Sequence, residues 1–287
     1  PGEHTQLLSS FWRHYKHEHG SHDVYQQAEN GELLLSDTIP IVLHGDGGRT
    51  TKKQPLEVVS ICPVLGLDTE HTRLTCTCCR NPQTYCGKRK RSALAQRLNL
   101  KNNSYTTHFL CFAFPSKKYK TTPGLLRSML GAISEDLGQV CREGLPCTYL
   151  GEEYRFNFAI LGIKGDQEWH AKSGLLTRSY MNVGYKNPIP CCSECGAGGP
   201  GLPFEDSSTR ALWRTTLYSQ APWDAVPPFQ PLPFEDWSTG QASRFFKRDP
   251  FHIFRLGIAR NFIGSSLVYL CNEGYFDSPG DGCGLDA

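Results

Sequence analysis

Two apolar segments, each followed by a Gly-Asp pair, constrain the fold of this 287-residue chain most strongly. The first covers residues 38–44 and leads to Asp46, and the second covers 154–164 and leads to Asp166. The first is rich in β-branched residues, which favours a strand that ends in a turn. The second is almost continuously apolar over 156–163, which predicts a central strand buried on both faces of a sheet.

Four further segments are predicted from their residue patterns. Apolar runs at 56–65 and 106–114 have strand composition, and we expect the first of them to pair with the 38–44 strand. A short helix is expected after Asp166, and a longer helix is expected over 251–271, where apolar residues recur at helical spacing.

The clearest helix signal in the chain covers residues 121–142. Apolar side chains follow the 3.6-residue period there. Thr121 or Thr122 is expected to cap this helix, and Pro123 suits its first turn. Gly144 is expected to end it.

The order of these segments is strand, strand, strand, helix, strand, short helix, insertion and helix. This order predicts an α/β fold with a mixed sheet flanked by helices. The predicted organisation is a lead-in segment (1–35), a core (36–184) that contains a basic, Cys-rich insertion (68–104), a Pro- and Gly-rich zinc-binding insertion (185–248), and a C-terminal helix with a truncated tail (249–287).

A short internal repeat lies in the Pro- and Gly-rich insertion. Residues 202–209 read LPFEDSST, and residues 232–239 read LPFEDWST. We interpret the two copies as similar turns that enter helices rather than as a functional repeat.

Charge and hydropathy limit the classes of partner. The formal net charge is only +2, so any nucleic-acid surface has to come from local basic patches. The sequence has no run of 18 apolar residues, so a membrane span is not expected. Residues 1–22 are polar and rich in His, which does not resemble a secretory signal.

Cysteine usage indicates zinc rather than disulfides. The 13 cysteines are an odd number and they cluster, so we expect an intracellular protein with at least one zinc site. One cluster contains Cys191, Cys192 and Cys195, and the other contains Cys76, Cys78, Cys79 and Cys86.

The two aspartates are the strongest candidates for chemistry. Sites in open α/β sheets collect where strands end, and two carboxylates delivered there can share divalent metal ions. Asp46 and Asp166 are therefore predicted to hold Mg²⁺ for phosphoryl transfer, since hard oxygen ligands suit that ion. The alternative is that Asp46 belongs to an ordinary turn and that Asp166 caps a helix.

At three places the chain resembles DDE-type DNA transposases of the CACTA and Plavaka-like kind. Residues 39–47 (IPIVLHGDG) are similar to the first catalytic block of that family, Cys192–Cys195 to its CxxC, and Asp249–His252 to its DxxH at the start of a long helix. The resemblance spans roughly residues 36 to 272 and implies an RNase H-like catalytic core, whose element order matches the one predicted above. It also implies a glutamate on a helix after the insertion, and the available third acids are Asp249 and Glu273.

A zinc site is predicted from the CxxC and DxxH residues. Two thiolates at CxxC spacing converge on one tetrahedral ion, so Cys192 and Cys195 form a half-site. His252 can supply a third ligand. Asp249 lies three residues earlier on the same side of that helix, and it could be the fourth ligand, the helix cap, a partner of the histidine or a catalytic carboxylate. Cys191 is another candidate for the fourth position.

Basic runs are the candidate nucleic-acid contacts. The first is the tetrad Lys88, Arg89, Lys90 and Arg91, which is either a solvated loop, a contact to DNA phosphates or a nuclear-import signal. Lys117, Lys118 and Lys120 form a second, shorter run.

Together these features predict a nuclear enzyme that cleaves and joins double-stranded DNA with Mg²⁺ and carries a structural Zn²⁺; homo-oligomerisation is left open. The alternatives are a catalytically inactive, transposase-derived DNA-binding protein and a zinc-stapled interaction module.

Overall fold

The computed structural model describes residues 2–49, 55–65, 108–149, 151–184 and 188–276. They belong to two compact units, Pro1–Lys247 and Arg248–Ala287. Within the described residues of the first unit, the strands are β1 (Thr38–Arg49), β2 (Pro55–Pro63), β3 (Phe109–Pro115), β4 (Leu145–Tyr149), β5 (Glu152–Gly165) and β6 (Phe246–Arg248). The last residue of β6 is the first residue of the second unit. The α-helices of the first unit are α1 (Gly2–Glu18), α2 (Asp23–Glu29), α3 (Ser116–Thr121), α4 (Leu125–Glu143) and α5 (Gln167–Ser173).

One mixed sheet organises the first unit. Its order is β3-β2-β1-β5-β4, and β6 pairs with β5. The first three strands form an antiparallel meander, as predicted for β1 and β2. β5 then lies parallel to β1, while β4 is antiparallel to β5. The predicted mixed sheet flanked by helices is therefore present.

The two central strands are buried on both faces, which explains their apolar sequences. Leu43 in β1 and Ile163 in β5 face one core cluster. Val42 and Leu161 face a second cluster on the other side of the sheet. Because water reaches neither face of these strands, apolar residues occupy consecutive positions.

On the first face, α4 and the insertion pack together against the sheet. Leu130 and Leu137 of α4 are buried there. A Cβ at Gly138 would lie 2.4 Å from the Pro231 carbonyl oxygen, so the helix approaches this segment closely. The insertion adds a buried aromatic cluster of Trp223, Phe229, Phe234, Trp237, Phe245 and Phe246. The predicted zinc-binding insertion thus supplies much of this core.

The second face is covered by the predicted lead-in segment, which forms α1 and α2. Trp12 is 1% exposed, and its indole N–H donates to the Thr38 carbonyl oxygen at 2.9 Å. The Tyr25 hydroxyl donates to the Trp12 carbonyl oxygen at 2.7 Å. These two bonds tie both helices to the start of β1.

Several predicted boundaries differ from the structure. The helix predicted from residue 121 begins after Gly124, which has a positive φ of 79°, and neither threonine caps it. Gly144 ends it, as expected. Strands β4 and β6 were not predicted, because they are short edge elements whose sequences lack a strong apolar pattern.

The internal repeat forms two similar turns, which confirms that interpretation. The carboxylates of Asp206 and Asp236 accept from the backbone N–H groups two residues later, each at 2.9 Å. Each turn precedes a 3₁₀ helix, Leu212–Thr216 or Gly240–Phe245. The other described 3₁₀ helices are Leu35–Asp37 and Tyr180–Asn182.

The second unit contains the helical segment predicted over 251–271. It begins with the wider hydrogen bonding of a π-helix, Phe251–Ala259, and continues as α6, Arg260–Asn272. The prediction of a single regular helix was therefore incomplete. Among the helices that the structure describes, none has the length and apolar composition needed to cross a membrane.

We predict acid destabilisation through His22. This histidine is 1% exposed, its Nε2–H donates to the Ile160 carbonyl oxygen at 2.8 Å, and its Nδ1 accepts from the Val24 N–H, so the buried ring is neutral. Burial lowers the pKa of His22 to about 4. The unfolded chain therefore binds a proton more readily, and stability falls as the pH drops from about 6.5 to about 4, by roughly 3 kcal/mol.

Urea unfolding at pH 7, 5 and 4 measures this loss. The matched variant is His22→Asn, which retains a capping oxygen for α2 but cannot titrate. Its stability should depend less on pH than that of the wild-type chain. His19, whose pKa burial also lowers, is present in both proteins, so the difference between them isolates His22. Equal pH dependence in the two proteins would contradict the prediction.

Candidate functional site

Asp46 lies inside a strand rather than beyond its end. β1 continues to Arg49 because β2 extends the antiparallel ladder over the predicted turn, and Asp46 is paired with Val58. The expectation that Asp46 follows the strand was therefore wrong. Its side chain is exposed, since the cover over the sheet ends before this position.

Asp166 follows β5 immediately, as predicted. It is also the N-cap of α5, and its Oδ1 accepts from the Trp169 backbone N–H at 2.6 Å. The helix-capping alternative is thus correct for one of its oxygens. This bond fixes the orientation of the carboxylate and leaves Oδ2 for another partner.

The strand register brings Asp46 and Asp166 to similar positions along two neighbouring strands. β1 and β5 are parallel, and His44 is paired with Lys164. Asp46 comes two residues after His44, and Asp166 comes two residues after Lys164. Neighbouring strands in a sheet are about 4.8 Å apart. Because side chains alternate along a strand, Asp46 points away from the face that carries Leu43.

Trp169 lies behind this pair of residues, on the opposite face. A Cβ at Gly45 would lie 2.2 Å from the indole ring. A Cβ at Gly165 would lie 2.8 Å from the Gly45 carbonyl oxygen and 3.3 Å from the same ring. The glycine that precedes each aspartate therefore makes room for one buried tryptophan between the two strand ends. The repeated Gly-Asp pair was the sequence signal for this packing.

A third carboxylate near Asp46 was missed in the sequence. Glu57 of β2 is paired with Gly47 and is 6% exposed. Its Oε1 accepts from the Ser116 hydroxyl at 2.9 Å. Cross-strand partners share a face, so Glu57 points to the face opposite Asp46. Its hydrogen bond ties β2 to the start of α3.

Cys192 and Cys195 are brought together as a pair. Cys195 is 2% exposed, and the two thiols are within hydrogen-bonding reach of each other. The Glu194 N–H donates to Cys192 Sγ at 3.4 Å. Burial raises the pKa of Cys195 to about 11, and the hydrogen bond with Cys192 acts in the same direction. The Cys195 thiol is therefore protonated at neutral pH unless a cation binds it.

Arg178 holds the loop that carries these thiols. Its Nη2 donates to the Ser193 carbonyl oxygen at 3.3 Å and to the Gln220 carbonyl oxygen at 2.5 Å. Burial lowers the pKa of Arg178, while Cys192 and Cys195 favour its charged form. Sequence reasoning missed this arginine because it lies 14 residues before the CxxC.

Cys191, Asp249 and His252 were also predicted as zinc ligands, and each has a hydrogen-bond partner of its own. The Cys191 thiol donates to the Ala197 carbonyl oxygen at 3.4 Å. In the second unit, Asp249 Oδ2 and His252 Nδ1 lie 2.7 Å apart, which confirms that they share one side of the helix. Among the described residues, no group of three or more His, Cys, Asp or Glu side chains is placed to hold a metal ion.

The remaining predictions concern basic residues and the first cysteine cluster. Lys88, Arg89, Lys90, Arg91 and all four cysteines from Cys76 to Cys86 lie outside the described residues. Lys117, Lys118 and Lys120 are exposed on α3.

Comparison of the chain with protein-family models, with curated proteins and with solved structures finds no match. The geometry of the residues is therefore the basis for the functional argument.

We predict that Gly45→Ala is destabilising because of Trp169. The added methyl group would overlap the indole ring, which should cost roughly 1–3 kcal/mol of unfolding free energy. The double variant Gly45→Ala/Trp169→Leu should be more stable than the sum of the two single effects implies, since the smaller side chain removes the overlap.

Chemical denaturation of the four proteins in this cycle measures the coupling. Gly131→Ala is the matched control, because a Cβ at that helical position would meet no atom within 4 Å and should be neutral or slightly stabilising. Strict additivity in the cycle would contradict the proposed packing.

Proposed function

We propose that this chain is a transposase-like catalytic core with an RNase H-like fold, which cleaves DNA and transfers its strands by two-metal phosphoryl transfer. The observation that carries the proposal is that His44 and Lys164, each two residues before an aspartate, are paired on the adjacent parallel strands β1 and β5. Carboxylates delivered in this way suit hard divalent cations such as Mg²⁺.

The sheet topology supports the proposed fold. The meander β1-β2-β3 is followed by α4 and by a strand that returns parallel to β1. This arrangement brings the end of the fourth predicted strand beside the end of the first. The RNase H-like interpretation of the sequence requires these two strands to be neighbours.

The two aspartates differ in how freely their carboxylates can move, and both environments are compatible with metal binding. Asp46 is exposed and can turn toward a ligand. Asp166 is held by its bond from the Trp169 N–H, so Oδ2 is pre-oriented. Bound Mg²⁺ would activate the attacking oxygen and stabilise the leaving oxygen of a phosphodiester. A third acid stays a prediction from the sequence, with Asp249 and Glu273 as its candidates.

A catalytically inactive, transposase-derived DNA-binding protein is the second candidate function. It is favoured by the N-cap bond of Asp166, which is a sufficient structural reason for an aspartate at that position. A zinc-stapled interaction module unrelated to DNA is the third candidate, favoured by the pairing of Cys192 with the buried Cys195 beside Arg178.

We also propose that Cys192 and Cys195 bind a structural Zn²⁺. The buried Cys195 thiol and the N–H donated to Cys192 Sγ fit this role, because such a bond stabilises a thiolate. Double-stranded DNA as the partner and a nuclear location belong to the same proposal.

We predict that Asp46→Asn and Asp166→Asn abolish metal-dependent nicking of supercoiled plasmid DNA. Both variants should also bind Mn²⁺ at least about tenfold more weakly in calorimetry, since a neutral amide is a poorer cation ligand. Asparagine still accepts the N-cap hydrogen bond at position 166, so folding should be retained.

The control is Asp206→Asn, an aspartate whose turn role asparagine also fills. It should bind Mn²⁺ and nick DNA as the wild-type chain does. A wild-type chain that binds DNA but neither Mn²⁺ nor Mg²⁺ would refute the enzyme proposal and support the inactive relative.

We predict that Cys192→Ser combined with Cys195→Ser removes about one equivalent of zinc and lowers the melting temperature. Elemental analysis of the purified chain measures the zinc content. Cys147→Ser is the control, because this cysteine is exposed in β4 and remote from the pair in sequence. An unchanged zinc content in the double variant would exclude these residues as ligands.

A further inference from the structure

Among the described residues, α1 and α2 cover only part of the length of the second face of the sheet. Along β1, Val42 is 7% exposed beneath α1 and α2, His44 is half-buried and Asp46 is exposed. Along β5, Leu161 is 4% exposed and Lys164 is exposed. The open part of this face is the part that carries Asp46.

A row of side chains crosses the open face immediately before the aspartates. Leu110, Ser60, His44 and Lys164 are paired in succession across β3, β2, β1 and β5. His108 extends the row, since its ring centroid lies 5.9 Å from that of His44 in an edge-on contact. Two residues of a strand span about 6.6 Å, so the row lies about that far before the aspartates along the strands.

The charge of Lys164 is the main feature of this row. Within the described residues, its ammonium group forms neither a hydrogen bond nor an ion pair. Burial raises the pKa of the Cys62 thiol, which lies on the same face. The charge of Lys164 acts on that pKa in the opposite direction, so the two groups lie near each other. A negatively charged ligand that approaches the two carboxylates is repelled by them. The Lys164 ammonium group, which has no ion-pair partner among the described residues, can attract such a ligand.

We infer that Lys164 and His44, with His108 beside them, form a phosphate-docking row for the DNA strand that enters the carboxylate site. This inference rests on the proposed function for the class of ligand. A phosphodiester is repelled by Asp46 and Asp166, and the charge of Lys164 offsets that repulsion. Such contacts position the backbone and carry no base specificity.

The test is DNA binding by fluorescence anisotropy, with a labelled double-stranded oligonucleotide in EDTA so that no strand is cut. Lys164→Gln and His44→Gln should each weaken binding roughly three- to tenfold at low salt. Lys164→Gln should also reduce the slope of log K against log salt by about one. Lys164→Arg should restore the affinity, because it restores the charge.

Lys16→Gln is the charge-matched control. Lys16 is exposed on α1 and pairs with Glu29 at 3.4 Å, so its loss should leave DNA affinity unchanged. Wild-type affinity and salt slope in Lys164→Gln would overturn the inference, and so would the absence of DNA binding by the wild-type chain at low salt.

The outcome separates this inference from the proposed function. Plasmid nicking that depends on Asp46, together with unaltered DNA binding by Lys164→Gln, would refute the docking row and leave the enzyme proposal intact. Weakened DNA binding by Lys164→Gln in a chain that neither binds Mn²⁺ nor nicks DNA would support the row and refute the enzyme.

Discussion

Parallel pairing between β1 and β5 is the constraint on which the rest of the first unit depends. Two parallel neighbours need a connection that leaves the sheet and returns, and here α4 packs on the first face within it. A central parallel pair also has to be covered on its second face, where α1 and α2 pack. The three layers follow from this one pairing.

The same pairing brings chemistry-bearing residues together. Because the strands run in the same direction, His44 pairs with Lys164, and Asp46 and Asp166 each follow two residues later. Trp169 fills the space behind both glycines, and its backbone N–H also holds the Asp166 carboxylate. One residue therefore contributes to strand packing and to carboxylate orientation.

The segment from residue 188 to 246 is stabilised differently. Its described part has few ladder hydrogen bonds, because proline and glycine limit regular structure. Side chains stabilise the backbone of this segment instead. Arg178, for example, donates hydrogen bonds to the Ser193 and Gln220 carbonyl oxygens. Aromatic rings such as Phe229 and Phe245 then attach the segment to the sheet.

The sequence by itself determined the apolar strands, α4 and the short helix after Asp166, since these depend on local periodicity and on burial that marks consecutive residues. It also indicated the two aspartates and the CxxC pair. Only the tertiary structure decided that β1 extends past Asp46, because that extension needs β2 as a partner. Glu57, Arg178 and Lys164 likewise gained their significance from strand register and burial, which bring together residues that are far apart in the chain.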